Sequence, residues 1–332
     1  MRAARRWLWL GAWLVTTLLL VFVLKQVSLA RVVATLQRAS APWLGAAIAI
    51  YLIILPLGAT QWRAMLPSST GVSWRRVFHV FALTSVANNT TPSIIGHATG
   101  VVLLAAEPGV GRSAALSVLA LDQVAVGLVK IVVLLLASAL VPLPAWMRDG
   151  LQSLAAAVGL LVALVGLAAF QHGRVERWAA ARAPGWTTAL ARIASDWARD
   201  LEAVRSPRRF AVGVACAAGV KATEAFAIVA MQGAFGLHLS FSATILVLAA
   251  TALATFVPFA PANLGVYESA TFAAYRLLGV DAESALAIAF AQHACQWIGA
   301  VSVGYVLLTT KRPGGGNSAS PAVPGGRSPQ RP

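Results

Sequence analysis

The sequence predicts an all-α polytopic membrane protein, with six spanning helices and two broken helices forming re-entrant hairpins in an inverted repeat. Three observations carry that prediction. Apolar residues make up 58% of the chain and charged residues only 11%, against about 25% charged in ordinary soluble domains; the mean hydropathy is +0.75. The apolar residues fall in runs such as Trp7–Leu24, long enough to cross ~30 Å of hydrocarbon at ~1.5 Å per residue. The basic residues lie between those runs, beside Trp and Tyr, where interfacial anchoring and the positive-inside rule place them. That placement also disposes of nucleic acid as a partner, which the net charge of +15 would otherwise invite.

The first run, 7–24, follows the basic flank at Arg2, Arg5 and Arg6 and stops at Lys25. A signal peptide has a short apolar region and a small-residue cleavage site, so this longer run reads as a retained helix. Further spans are expected at 43–60, 113–141, 151–170, 210–235 and 284–308. The loop from Gln171 to Arg209 holds eight Arg and four acidic residues, with Trp178, Trp186 and Trp197 interspersed. It fits either an amphipathic helix lying at the headgroups or a solvated helical loop. The residues after Thr310 are rich in Pro, Gly and Ser and have little apolar surface to bury, so 311–332 reads as a disordered cytoplasmic tail. That leaves 1–310 as a single transmembrane domain. Cys216 and Cys295 each sit inside an apolar run, which gives no disulfide or zinc framework.

Two apolar segments are interrupted. Segment 77–106 contains Asn88-Asn89-Thr90-Thr91-Pro92-Ser93, and segment 241–278 contains Pro258-Phe259-Ala260-Pro261-Ala262-Asn263-Leu264-Gly265. Neither half of either segment reaches the ~20 residues of a spanning helix. Proline removes a donor and clashes with the preceding turn, while Gly and Asn favour non-helical backbone. Each segment is therefore a kinked span or a hairpin, and charge decides between them. With two hairpins, the N-terminus, the Arg63–Arg76 loop, Arg112, the 171–209 loop and the C-terminal tail share one side. That side then holds nineteen Lys and Arg; the other holds Lys25, Arg31, Arg38, Arg148 and Arg276. A single crossing at 77–106 would put the Arg-rich loop opposite the basic N-terminus, against the positive-inside rule. The hairpins also make 43–141 and 210–308 the same unit in opposite orientation, the arrangement of transporters built from inverted repeats, whose broken helices mark the binding site.

Ionisable groups within a bilayer cost ~2.5–3.5 kcal/mol each on insertion scales and so face a cavity or one another. Asp122 and Lys130 share helix 113–141; eight residues leave them about 80° apart in azimuth and ~12 Å apart along the axis, so each requires a partner elsewhere or water. Lys221 and Glu224 stand at i, i+3 and can pair directly, either as a self-neutralised structural pair or as part of a polar path. Glu268 follows the second break near the start of a half-helix, where the dipole favours a carboxylate and freed amides can bind an anion; simple capping is the alternative. His97, beside the first break, and His293, in the last helix, could titrate or hydrogen-bond, or serve as satisfied structural groups. Asn89, Pro92, Pro258, Pro261, Asn263 and Gly265 complete the expected substrate path as the residues that open the two helices. The sequence holds no GxSxG, HExxH or phosphate-loop motif and no Cys/His cluster, so neither an enzyme, a metal site nor a cofactor is expected.

Val257-Pro258-Phe259-Ala260-Pro261-Ala262-Asn263-Leu264-Gly265-Val266-Tyr267-Glu268, followed by Leu278-Gly279-Val280, resembles the P-x-x-P-G-x-x-G-x-x-E … G-v motif of the flippase-like family. That family comprises the transmembrane domain of lysylphosphatidylglycerol synthetases and its stand-alone relatives. Asn89 to Pro92, with Gly111-Arg112-Ser113-Ala114-Ala115 and Ser117-Val118-Leu119, is similar to the family's N-x-x-P … g-x-s-x-x-A-x-x-S-v-l region. The likeness covers about residues 5–310. It implies lipid translocation, and a chain of this length is expected to lack the soluble aminoacyltransferase domain. The chain departs from the family pattern where relatives carry arginine: His97 and Gly100 follow the first break, Asp122-Gln123 stands early in the next helix, and His293 lies in the last. Arginine is the usual bidentate phosphate partner, so these departures point away from a strongly anionic headgroup.

The expectation is thus a multi-pass protein of a bacterial inner (cytoplasmic) membrane with both termini cytoplasmic. It would move a lipid or lipid-linked molecule, hopanoid or phospholipid, between leaflets or toward export, using no cofactor. Its basic face would meet anionic headgroups, and lipid-biosynthesis enzymes are expected partners. A scaffold or accessory protein of a lipid-modifying or glycosyl-transferring enzyme is the competing reading, supported by the basic 171–209 loop.

Overall fold

Apolar helix follows apolar helix through the computed structural model, which describes residues 27–180, 206–256 and 260–310 together with Thr17, Val21, Leu24 and Lys25. Over 168–180 only the course of the backbone is described. The expected first span at 7–24, most of the basic loop (181–205), Pro258 and the tail at 311–332 lie outside the described residues. The architecture is all-α; among the described residues the only β-type pairing is an isolated bridge between Pro92 and Pro261.

The helices are α1 (Leu29–Gln37), α2 (Ala41–Leu52), α3 (Ile54–Met65), α4 (Trp74–Thr90), α5 (Ser93–Ala105), α6 (Arg112–Leu140), α7 (Ala145–Ala180), α8 (Pro207–Ala234), α9 (Phe241–Ala254), α10 (Val266–Leu277) and α11 (Ala282–Thr310). Five stretches of the described residues are long and apolar enough to cross a membrane: Ala41–Met65, Arg112–Leu140, Ala145–Leu167, Pro207–Ala234 and Ala282–Thr310. They coincide with the five spans expected after residue 24. Two differences are informative. The expected span 43–60 runs on to Met65, because Gln61 and Trp62, which read as the polar end of the run, are turned inward and buried. The expected span 151–170 starts at Ala145 and its helix continues to Ala180, so the first ten residues of the 171–209 segment are helix. Pro142 and Pro144 end α6 and set the start of α7, and Arg148 and Asp149 fall inside the helix.

Neither broken segment forms a straight kinked rod. Helices α4 and α5 pack side by side, and their outer ends come together: Arg76 near the start of α4 is 4.0 Å from Glu107 just after α5. A side chain at Gly109 would stand only 2.7 Å from the Thr70 carbonyl. Close to the tip, a Cβ at Gly96 would meet the Asn88 backbone at 2.6 Å, so the two arms approach as only glycine permits. Helices α9 and α10 pair likewise, with Gln232 at the end of α8 meeting Thr244 near the start of α9 and Tyr275 near the end of α10. Every residue from Ala243 to Ala254 is buried, as a helix apolar on all sides requires.

The packing repeats when the two halves are exchanged. One unit is α2–α3, the α4/α5 hairpin and α6; the other is α8, the α9/α10 hairpin and α11. The leading helices pack on each other, α2 and α3 against α8. The closing helix of each unit packs on the first arm of the other's hairpin, α6 on α9 and α11 on α4. They run antiparallel: Arg209 at the start of α8 donates to the carbonyls of Ala64 and Leu66 at the end of α3, while the Ser40 amide at the start of α2 donates to Ala234 at the end of α8 (2.8 Å). One end of the molecule thus gathers Arg63, Arg75, Arg76, Arg112, Arg208 and Arg209. At the other end Arg31 pairs with Glu283 at 2.7 Å. Helix α7 lies at the periphery and leaves Leu160, Leu164 and Leu167 at least half exposed, a surface that suits lipid rather than water.

Candidate functional site

Side chains add hydrogen bonds to the backbone where the first break begins, and left-handed backbone shapes the second. At the end of α4, Asn89 Nδ2, Thr90 Oγ1 and Thr91 Oγ1 donate to the carbonyls of Ser85, Val86 and Ala87 at 2.7–2.9 Å. These bonds add to the last turn of the helix, as Asn and Thr side chains bonding from i to i−4 do. On the second break, Ala262, Asn263 and Gly265 have φ of 51°, 57° and 78°, a left-handed stretch that reverses the chain before α10. The two breaks touch. Pro92 and Pro261 form the isolated bridge, and the Ala262 amide donates to the Thr91 carbonyl at 3.3 Å. The tips of the two hairpins therefore meet at the interface between the units.

A polar cavity of about 250 Å³ lies beside the first tip, lined among others by His97, Asp122, Lys130, Lys221 and Glu224. Asp122 accepts from Gln61 Nε2 (2.9 Å), Trp62 Nε1 (2.9 Å) and Gln123 Nε2 (3.0 Å). Gln123 also reaches His97 Nε2 at 3.1 Å, while His97 Nδ1 lies 2.7 Å from the Ser93 carbonyl. A carbonyl can only accept, so Nδ1 carries the proton and Nε2 accepts from Gln123. Lys221 pairs with Glu224 at 2.5 Å, the direct i, i+3 contact their spacing allows. Lys130 donates to Thr255 Oγ1 at 3.0 Å, tying α6 of one unit to the end of α9 in the other.

Beside the second tip, Glu268 is 2% exposed and both of its oxygens are engaged. Oε2 accepts from the Gly265 amide at 2.6 Å, and Oε1 lies 2.7 Å from His293 Nδ1. The capping role is thus real, and a tertiary partner is added to it. Tyr267 stacks on His293, ring centres 4.4 Å apart, and its hydroxyl accepts from Gln292 Nε2 at 2.8 Å. Tyr51 joins this network through a hydrogen bond to Tyr267. Glu268 and His293 open onto a groove of about 640 Å³ whose other walls include Asn89, Leu264, Phe290, Trp297 and Ile298. Trp297 Nε1 donates to the Asn89 carbonyl at 2.7 Å, which fixes the closing helix of one unit to the break of the other.

The structure therefore splits the expected path residues into two neighbourhoods. His97, Asp122, Lys130, Lys221 and Glu224 line the cavity; Asn89, Glu268 and His293 line the groove. Pro92, Pro261 and Gly265 shape the tips between them. Asn263, also at the tip, has a buried Oδ1 without a partner. Sequence reasoning missed Gln61, Trp62, Thr255 and Gln292 as members of these networks. The signal for the glutamines was a polar residue inside an apolar run; Trp62 and Thr255 left none. Among the described residues no group of three or more His, Cys, Asp and Glu is placed to hold a metal ion.

A family model described as lysylphosphatidylglycerol synthase TM region matches residues 9–304. No curated protein and no solved structure matches the chain.

Proposed function

The chain belongs to the lysylphosphatidylglycerol synthase TM region family, and from that premise we propose that it is a lipid transporter carrying a lipid or lipid-linked molecule between leaflets. The observation that supports this reading best is the meeting of the two broken helices at Pro92 and Pro261, with a cavity lined by charged residues on one side and an apolar-walled groove on the other. Broken helices at matching places in two exchanged units are the usual setting of a transporter's binding site. A lipid needs both environments along its route: apolar walls for its chains and polar groups to replace water around its headgroup. The binding groups are His97, Asp122, Lys130, Lys221 and Glu224 in the cavity and Glu268 and His293 in the groove. The protein carries out no bond-making chemistry in this reading, because the two carboxylates nearest the tips, Asp122 and Glu268, are each tied into separate networks.

Orientation follows from charge. The end that gathers Arg63, Arg75, Arg76, Arg112, Arg208 and Arg209 faces the cytoplasm of a bacterial inner membrane, where it meets anionic headgroups. Each hairpin then enters and leaves on its own side. Cysteines placed at Ser68 and Arg112 should be labelled from the cytoplasmic side and one at Asp149 from outside. Labelling of Arg112→Cys from outside would make α4 and α5 a crossing pair and end the inverted-repeat reading. Transport itself is tested by reconstitution into vesicles with a panel of labelled lipids from the native membrane. Leaflet exchange above that of empty vesicles is expected for at least one of them; none for any would overturn the proposal.

A further inference from the structure

The groove beside Glu268 and His293 has a hydrogen-bonding character of its own. Most of its side-chain donors are already used: Trp297 Nε1 on the Asn89 carbonyl, Thr90 Oγ1 on the Val86 carbonyl and one of the two Asn89 Nδ2 hydrogens on the Ser85 carbonyl. What remains toward a ligand is mainly accepting. With Nδ1 turned to the Glu268 carboxylate at 2.7 Å, Nε2 is the ring nitrogen of His293 that the pair leaves for a ligand, and in the neutral ring it is an acceptor. Asn89 Oδ1 is a second acceptor on the same wall. Among the described lining residues of the groove there is no lysine or arginine; Lys130 and Lys221 line the other cavity. A phosphate headgroup would find neither of its usual cationic partners on these walls. A cationic headgroup would have to reach Glu268, whose oxygens are both occupied and which is 2% exposed. The remaining walls, Leu264, Phe290, Trp297 and Ile298, are apolar, and Leu264, Trp297 and Ile298 are each more than a third exposed at the protein surface, so a chain can enter sideways from the bilayer. The volume of about 640 Å³ falls within the ~300–1,000 Å³ of small-ligand pockets.

We infer that this groove selects an uncharged lipid whose headgroup presents a free hydroxyl, which donates its proton to His293 Nε2 while the acyl chain lies along Phe290, Trp297 and Ile298. The inference rests on the transport reading and names the class of lipid that this reading left open. Binding is measured on the purified full chain in detergent with four probes: dioleoylglycerol, its methyl ether, dioleoylphosphatidylglycerol and dioleylamine. Dioleoylglycerol should bind at least tenfold more tightly than the ether, which keeps the chains and loses the donor. It should likewise exceed the phosphatidylglycerol and the amine. In the Glu268→Gln/His293→Phe double variant, which leaves no unpaired charge buried, the preference for the hydroxyl over the ether should vanish. In Ile298→Trp, which fills the apolar wall away from the pair, both neutral lipids should be lost. Equal affinity for diglyceride and ether in the unaltered protein, or tighter binding of the phosphatidylglycerol or the amine, overturns the inference, as does an unchanged preference in the double variant. Its failure is distinguishable from that of transport. Hydroxyl selectivity without leaflet exchange sinks the transporter and leaves the site, whereas leaflet exchange without hydroxyl selectivity sinks the site and leaves the transporter.

Discussion

The two polar centres occupy matching places in the two units and do different things there. In the first, His97 from the second arm of the hairpin meets Gln123 of the closing helix; in the second, Glu268 from the second arm meets His293. Gln123 and His293 each stand twelfth in their helices, α6 and α11. Around the first pair lies a cavity in which Asp122 has three donors and Lys221 and Glu224 neutralise each other. Around the second lies a larger groove, walled mainly by apolar residues, with one imidazole nitrogen that Glu268 does not engage. The difference teaches how to read a buried charge. The cavity's charges are met by the protein's own groups and so also hold the scaffold together, while the Glu268–His293 pair keeps one ring nitrogen that Glu268 does not occupy.

Substitutions at the cavity should therefore fall mainly on stability. The largest effect is expected from Lys221→Met. Both partners of the Lys221–Glu224 pair are mostly buried, at 11% and 15% side-chain exposure, and removing one leaves an uncompensated charge at a cost of ~3–5 kcal/mol. Yield and thermal stability in detergent should drop sharply, and adding Glu224→Gln should recover part of the loss. If Lys221→Met is as stable as the unaltered protein, Glu224 has another partner. Next comes Asp122→Leu, which strands the donors of Gln61, Trp62 and Gln123. Each buried donor left unmade costs about 1–3 kcal/mol, and some will reach water through the cavity, so a net loss of roughly 2–4 kcal/mol is expected from the melting curve. Asp122→Asn keeps the acceptor oxygen and should lose less than half as much.

A carboxylate at the edge of the spanning region calibrates these two. Asp281 precedes α11, and its Oδ1 accepts from the Ser284 amide at 2.9 Å, which holds its carboxyl below the usual carboxylate range. A folded pKa that is depressed contributes stability above the unfolded pKa of about 3.9 and loses it as the pH falls through the folded value. Asp281→Ala should cost about 1 kcal/mol at pH 7, as for other N-caps, and much less in a melt at pH 3. A loss as large as that of Asp122→Leu would show that position in the membrane is not what sets the scale.

The spans and the breaks were legible in the sequence because they depend on local quantities: run length, proline, and the alternation of charge between runs. The Lys221–Glu224 contact was legible for the same reason, since a three-residue spacing on one helix fixes it. The partners of Asp122 were not, because Gln61 and Trp62 lie sixty residues away on another helix and look like the end of a run. His97 and His293 each read as a lone histidine. Only the fold shows that one faces a glutamine and the other a carboxylate. The start of α7 was misplaced because Arg148 and Asp149 resemble a loop, although Pro144 just before them is the better signal. Periodicity says which face of a helix is buried and never what waits opposite it.

Glu268→Gln should have the smallest effect on stability and the most telling one on function. Glutamine keeps the shape, and its oxygen can still accept from the Gly265 amide. Its amide nitrogen must then donate to His293 Nδ1, so the ring has to carry its proton on Nε2 instead. Nothing is stranded, and the melting temperature should stay within a degree or two of the unaltered protein, given that ~1 kcal/mol moves a domain of this size by about 2–4 °C. The groove, however, now presents a donor where it presented an acceptor. Leaflet exchange should fall several-fold with insertion and yield intact, while the equivalent change in the first centre, Gln123→Glu, should disturb folding before it disturbs transport, because it adds a charge beside Asp122. A well-folded Glu268→Gln protein with full exchange activity would remove the Glu268–His293 pair from the lipid's route, and the cavity at Asp122 would become the place to look.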